Sequence, residues 1–297
     1  MIPPRHLVLS GGGIKVISIV GALRILEEKG LLKQVKVVSG VSAGAWLAFM
    51  ISIGLTMNVL EKMVLELNFG DIRHLSADAI IGFPETFGLD DGSNLKKFLE
   101  SVMRIVLKVD PLCTFSDISK NKIKFKCWAT DLNTRKMKEF SIEKTPNVKI
   151  IDALHASMAI PLYFTPVPDP ETGHLLSDGG IQGSLPIHHL THRECSECLA
   201  IGFSREKPFP ENGETPADLM SFMESIFACL VHSRNENVIN MWEHKIIRIP
   251  VDDIQSWNFE ISRDERLYLV QKGKLAIKNW LQVKSCGSRK SERRFSI

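Results

Sequence analysis

The residues Gly40-Val41-Ser42-Ala43-Gly44 directly follow a short apolar run, Val35–Val38. A serine with glycines two positions before and after it suits a sharp turn between a strand and a helix. The backbone there is bent hard, and neighbouring side chains must be small to avoid clashes. Such a turn projects the hydroxyl into a site at the end of a sheet, where an activated serine attacks acyl carbonyls. Ser42 is therefore the candidate nucleophile, with Gly40 and Gly44 forming its elbow.

A serine nucleophile needs a base and a place for the oxyanion. Gly11-Gly12-Gly13 lies between a predicted strand and a predicted helix. Its N–H groups can converge at the helix N-terminus and stabilise negative charge, and Lys15 adds a positive charge nearby. A tight strand–helix turn without a ligand is the other reading. Nucleotide binding ranks low, because Val16 stands where a dinucleotide fingerprint needs glycine and no Gly-Lys-Ser/Thr follows. For the base, Asp178-Gly179-Gly180 follows Leu175-Leu176 in a segment that reads as strand then turn. The glycines allow close backbone approach, so Asp178 can meet the serine hydroxyl. From these residues alone a plain Asp-Gly hairpin turn fits equally well.

Histidines offer a different base. His188, His189, His192, His232 and His244 all follow Asp178, which is the Ser…Asp…His order of α/β-hydrolases. The nucleophile of that fold usually comes after several strands, whereas Ser42 follows two. His189, His192, Cys195 and Cys198 form a ladder of ligand types at three-residue spacing. No loop turns them toward one point, so neither a zinc site nor a redox pair is expected, and the reading includes no metal.

These groups must be positioned by a fold, and the hydrophobic pattern supplies one. His6–Leu9 reads as a buried strand, and Ile17–Lys29 as an amphipathic helix stopped by Gly30. Val35–Val38 is a second strand and Ala43–Leu55 a second helix. Strand–helix–strand–helix at this spacing predicts a parallel α/β sheet. Farther along, Thr56–Leu67 and Asn94–Leu107 read as helices, and Asp71–Gly92 as an irregular connection or lid. Lys122–Asp131 with Lys138–Ile142 reads as a hairpin, Ile150–Met158 as a short helix, and Cys198–Phe203 as a strand. Thr215 is the expected N-cap of a helix with Pro216 at its first position. The stripe Leu219, Phe222, Met223, Ile226, Phe227 and Leu230 on that helix is expected to be core. Ser262-Arg263-Asp264-Glu265 is a capping box opening a last helix to about Leu281.

Taken together, the glycine motifs resemble those of the patatin-like phospholipases, most closely the bacterial-type single-domain members. The likeness lies in Gly-Gly-Gly-Ile-Lys before a helix, Gly-Val-Ser-Ala-Gly after the next strand, and a distant Asp-Gly-Gly. Ala129-Thr130-Asp131-Leu132, Ala156-Ser157-Met158-Ala159-Ile160-Pro161 and Phe259-Glu260-Ile261-Ser262 add to it. The resemblance spans about residues 5–282. It implies a three-layer α/β/α fold with a central, mostly parallel sheet. It also implies a Ser42–Asp178 dyad, in which Gly179 and Gly180 shape the turn after the base. Gly11, Gly12 and Gly13 with the Lys15 neighbourhood would form the oxyanion hole. The implied activity is phospholipase A or lysophospholipase hydrolysis of fatty-acyl esters through an acyl-serine, without a cofactor or calcium. A soluble carboxylesterase or thioesterase, and a non-catalytic lipid-binding protein on this fold, are the alternatives. Two positions depart from the family pattern. Val16 follows the basic residue where glycine is usual, and Ser184 precedes Pro186 by two where asparagine is frequent.

Bulk properties agree with one globular unit. The 297-residue chain is 44% hydrophobic with net charge +3. Lys284–Ile297 carries +4 of this, leaving about −1 elsewhere, so no nucleic-acid partner is expected. Residues 283–297 read as a basic, disordered tail able to touch anionic lipid. Cys113, Cys127, Cys195, Cys198, Cys229 and Cys286 are scattered, which points to a reducing compartment. No signal peptide or spanning segment is read, so the expected location is cytoplasmic or peripheral to a membrane.

Overall fold

The computed structural model describes residues 3–75, 77–204, 215–251 and 254–292, with side chains at 77, 220, 224, 232–234, 236, 237 and 284–292 left aside. The chain opens with strand β1 (His6–Leu9), a 3-10 turn (Gly13–Lys15) and helix α1 (Val16–Glu28). Gly30, at φ 70°, ends α1 in a Schellman motif: its N–H reaches the Glu27 carbonyl and that of Leu31 reaches Leu26. Strand β2 (Val37–Val41) and helix α2 (Ala43–Ser52) follow, so the strand runs up to the Ser42 turn rather than stopping at Val38. Next come α3 (Met57–Glu66), α4 (Ala77–Thr86), β3 (Gly88–Asp90) and α5 (Ser93–Ser101), which continues as a π-helical turn to Leu107. Helix α4 lies where an irregular connection is expected from sequence. Gly82 and Pro84 hide it, yet Pro84 falls in the last turn, where little helix remains to break.

The hairpin is β4 (Lys124–Asp131) with β5 (Lys136–Ser141), and then come α6 (Ile150–Met158), β6 (Leu162–Phe164), β7 (Val167–Pro168) and β8 (Leu175–Asp178). The remaining elements are α7 (His192–Glu197), β9 (Cys198–Ser204), α8 (Leu219–Trp242), β10 (Ile246–Pro250) and α9 (Arg263–Glu292). The cap of α8 is Asp218, whose carboxylate accepts the Ser221 N–H; Thr215 and Pro216 lie ahead of the helix. The Ser262–Glu265 box does open α9. That helix continues through 283–292, where the sequence reading has disordered tail, and 293–297 fall outside the described residues.

The main sheet has the order β10-β9-β1-β2-β4-β8-β7, with β5 on the other edge of β4. Strands β10, β9, β1, β2 and β4 are mutually parallel, while β5, β7 and β8 join antiparallel. This is the expected mixed α/β architecture with a mostly parallel sheet. Alternate residues of β1 serve two cores. Leu7 and Leu9 join the larger one, with α1, α2, α6 and α9. Val8 joins a smaller one with Leu185, Ile187 and the Val238, Ile239 and Trp242 end of α8.

Candidate active site

Strand pairing brings Ser42 and Asp178 together. Rising along one edge of β4, β2 pairs its last residue, Val41, with Trp128. Antiparallel β8 descends the same edge and pairs its last residue, Asp178, with Ala129. The strands meet head-on, one β4 residue apart, so groups 136 positions apart in sequence share one spot. Gly179 must lack a side chain here, since a Cβ would lie 2.6 Å from the Trp128 carbonyl and 2.9 Å from Val41.

Ser42 sits at φ 54° and ψ −133°, the tight geometry the elbow motif predicts. The glycine requirement is steric. A Cβ on Gly40 would lie 2.4 Å from the Gly44 carbonyl group, and one on Gly44 would lie 2.5 Å from the Ser10 oxygen. The bent backbone is pinned from outside: Ser42 N–H donates to Ser157 Oγ at 2.9 Å, and that hydroxyl donates to the Trp128 carbonyl at 2.7 Å. Ser157 belongs to a quoted segment, but its fastening of the elbow to β4 is legible only in the structure.

Asp178 is buried. Its Oδ1 accepts the Gly180 N–H at 2.6 Å, its own N–H reaches the Ala159 carbonyl, and Thr130 Oγ1 donates to its carbonyl at 3.0 Å. Burial pushes the carboxyl up to about 7, against opposing hydrogen bonding from the Ser42 hydroxyl and the Gly180 N–H. Asp178 Oδ2 has no partner in full hydrogen-bond geometry among the described residues. Catalytic hydrogen bonds are often misaligned until substrate draws them in. Among the described residues, no histidine contributes to the surroundings that set the Asp178 pKa. His189 instead lies against Trp128, with ring centroids 6.4 Å apart, and burial lowers it to about 4. The side chain of His232 lies outside the described residues.

The glycine loop lies against Ser42: a Cβ on Gly11 would be 3.1 Å from that of Ser42. Its N–H groups divide into two kinds. Those of Gly11, Ile14 and Lys15 are spent on the carbonyls of Ser184, Ser256 and Gly12. Those of Gly12 and Gly13 have no acceptor among the described residues. Val16 takes ordinary right-handed helical geometry at φ −61°, so the departure from glycine brings no backbone strain. At the other departure, Asn235 of α8 supplies an amide from far away. Its Oδ1 accepts the Ser184 N–H at 3.1 Å and its Nδ2 donates to Ser184 Oγ at 2.6 Å. The Ser184 carbonyl then holds the Gly11 N–H at 2.9 Å. Nothing in the sequence around Asn235 signals this.

Ser42 opens on an apolar pocket walled by Ile14 and Ile17, by Trp46 of α2, by Phe69, by Leu95 and Phe98 of α5, and by Met158, Phe164 and Phe259. Trp46, Phe69 and Phe98 form a ring cluster with centroids 6.0–6.5 Å apart. The Cys/His ladder disperses: His189 ends a 3-10 turn, His192 and Cys195 lie on α7, and Cys198 begins β9. Cys195 Sγ turns to the Ile187 carbonyl, and no group of three such side chains could hold a metal among the described residues.

A family profile described as patatin-like phospholipase matches residues 7–191, a stretch containing the glycine loop, the elbow and the Asp178 turn. The chain belongs to the patatin-like phospholipase family. Membership places it among lipid-hydrolysing enzymes. "Uncharacterized protein R571" of Acanthamoeba polyphaga mimivirus is 27% identical over 282 residues, covering 92% of each chain. "Probable lipid hydrolase 463L" of Invertebrate iridescent virus 6 is 29% identical over 187 residues, covering 62% of each. Among solved structures, VipD from Legionella pneumophila aligns with a TM-score of 0.59 at 16% identity. That alignment covers 95% of this chain and 67% of that one, and it shows the shared patatin-like fold. The family profile ends at residue 191, whereas β9 and β10 extend the sheet beyond it. No helix of the described residues is long and apolar enough to cross a membrane.

Proposed function

We propose that this patatin-like protein hydrolyses fatty-acyl esters of phospholipids or lysophospholipids with a Ser42–Asp178 dyad. The observation that carries this is the head-on meeting of β2 and β8, which sets a buried carboxyl beside a bent serine at the mouth of an apolar pocket. The acyl chain lies in the pocket and the ester carbonyl at Ser42. Asp178, ionised, takes the Ser42 proton as Oγ attacks the carbonyl carbon. The tetrahedral oxyanion is stabilised by the uncommitted N–H groups of Gly12 and Gly13. Collapse breaks the ester bond, and the proton held by Asp178 passes to the leaving alcohol. Water, deprotonated by Asp178, then cleaves the acyl-serine; the fatty acid leaves and Ser42 regains its proton. Gly11 takes part as structure, its N–H fixing the loop to Ser184 and its missing side chain leaving room for Ser42. Lys15 contributes positive charge at the start of α1.

The test is incubation of purified protein with a mixed lipid extract, comparing wild type with Ser42→Ala by mass spectrometry. Wild type is expected to release fatty acid from phospholipid or lysophospholipid species, with the variant at least 1,000-fold slower, on the order seen when a nucleophile is removed. Equal activity in the two proteins would overturn the nucleophile. Release only from short-chain soluble esters would favour the carboxylesterase alternative.

A further inference from the structure

The helix α8 stripe that the sequence reading places in the core is largely outside it. Leu219, Phe222, Ile226 and Leu230 are 54%, 52%, 40% and 49% exposed. At 100° per residue these four fall within an arc of about 80°. Met223 and Phe227 continue the arc at one flank, and only they turn inward, Met223 into the core and Phe227 against it. The apolar face is therefore wider than the body beneath it, over a length of about 16 Å.

This face is continuous with the candidate active site. Phe227 lies over the turn after Asp178, 3.2 Å from where a Gly180 Cβ would stand. Its ring meets Trp257 at 5.9 Å, Trp257 meets Tyr163 at 5.9 Å, and Tyr163 meets Phe259 at 6.0 Å. Phe259 is a wall of the apolar pocket. An unbroken line of rings thus links the exposed stripe to the place proposed for the acyl chain.

We propose that the amino-terminal half of α8 docks on a lipid surface, which sets the candidate active site beside the bilayer that holds its ester. The idea rests on the lipid-ester reading above. A fluid apolar phase fits better than a protein partner, because Glu224 is the one charged residue between Leu219 and Leu230. A protein partner is normally fixed in register by charge and hydrogen-bond complementarity, whereas insertion into an uncharged bilayer interface is driven by buried apolar area.

The experiment uses the full chain carrying Ser42→Ala, so that lipid is not consumed, and flotation with neutral phosphatidylcholine vesicles, to which the basic C-terminal residues are not attracted. The combined variant Leu219→Gln, Phe222→Gln, Ile226→Gln and Leu230→Gln is expected to lower the vesicle-bound fraction by on the order of 10- to 100-fold, from the apolar area it removes. In the Ser42 background, the same four substitutions are expected to leave hydrolysis of a soluble short-chain ester within about twofold. If the combined variant fails to fold, Phe222→Trp takes its place, and quenching by dibrominated phosphatidylcholine must exceed that of the unsubstituted chain. Unchanged flotation, absent quenching, or an effect confined to conversion of a dimer to a monomer by light scattering overturns the docking. Flotation is readable whether or not Ser42 is the nucleophile, so failure of the docking and failure of the ester-hydrolase reading are told apart.

Discussion

As the proposed base, Asp178 combines two demands that oppose each other. A base must give up its proton near working pH, yet a carboxyl enclosed by protein resists ionisation, and burial raises this one to about 7. The same poise makes it a competent proton acceptor from serine at neutral pH. Hydrolysis of a soluble ester is therefore expected to rise with pH through an inflection near 7, and a pH–rate profile flat from 5 to 9 would exclude Asp178 as the ionising base. The stability consequence has the opposite sign. Folded protein holds this proton up to about pH 7 while the unfolded chain releases it near 4, so the group's contribution is complete below 4 and is lost as pH rises toward 7. Asp178→Asn keeps an acceptor for the Gly180 N–H and has nothing to ionise. It is expected to lose activity, yet at pH 8 to be more stable than wild type by on the order of 2–4 kcal/mol. That margin should shrink markedly at pH 5 in thermal melts.

At the scale of elements, β4 and α8 do the positioning. One edge of β4 receives β2 and β8 in turn, and α8 reaches back through Asn235 and Ser184 to hold the Gly11 end of the glycine loop proposed for the oxyanion. Loss of that tie lets the Gly12 and Gly13 donors drift. Asn235→Ala is therefore expected to lower kcat for a soluble ester by about tenfold, with KM little changed, as for misplaced rather than absent donors. Asn235→Asp, which keeps the acceptor for Ser184 N–H but loses the Nδ2 donor, should fall between. A fall in KM-linked terms alone would mean that Asn235 acts elsewhere. What was legible in sequence follows the same division. The sharp strand–helix turn at Ser42, the Gly30 stop, the Ile150–Met158 helix and the Ser262 cap are local chemistry, and all four stand. The meeting of Ser42 with Asp178 depends on pairing register along β4, which no local stretch encodes, so from its own residues Asp178 remained balanced against a hairpin turn. Periodicity marked α8 as amphipathic but could not say what would face it. Gly82 and Pro84 masked α4, because a short helix survives a proline in its last turn.

Over the whole molecule, the two faces of the sheet are unequally furnished. The larger core lies under α1, α2, α6 and α9, while the smaller one is closed by α8 and the Pro186–His189 turn. Ser42, the proposed nucleophile, stands at the end of β2, where it is held by the global fold rather than by its own preference. Ser42 keeps a backbone geometry, φ 54° and ψ −133°, that glycine adopts freely and other residues hold at about 1–3 kcal/mol. Ser42→Ala retains that penalty and should unfold close to wild type, whereas Ser42→Gly is expected to melt about 2–4 °C higher by calorimetry. A glycine variant no more heat-resistant than the alanine one would show that the bend is relaxed. If the glycine variant does melt higher, the protein is outlasted by its own inert twin, and the side chain at that bend is carried at a cost in durability.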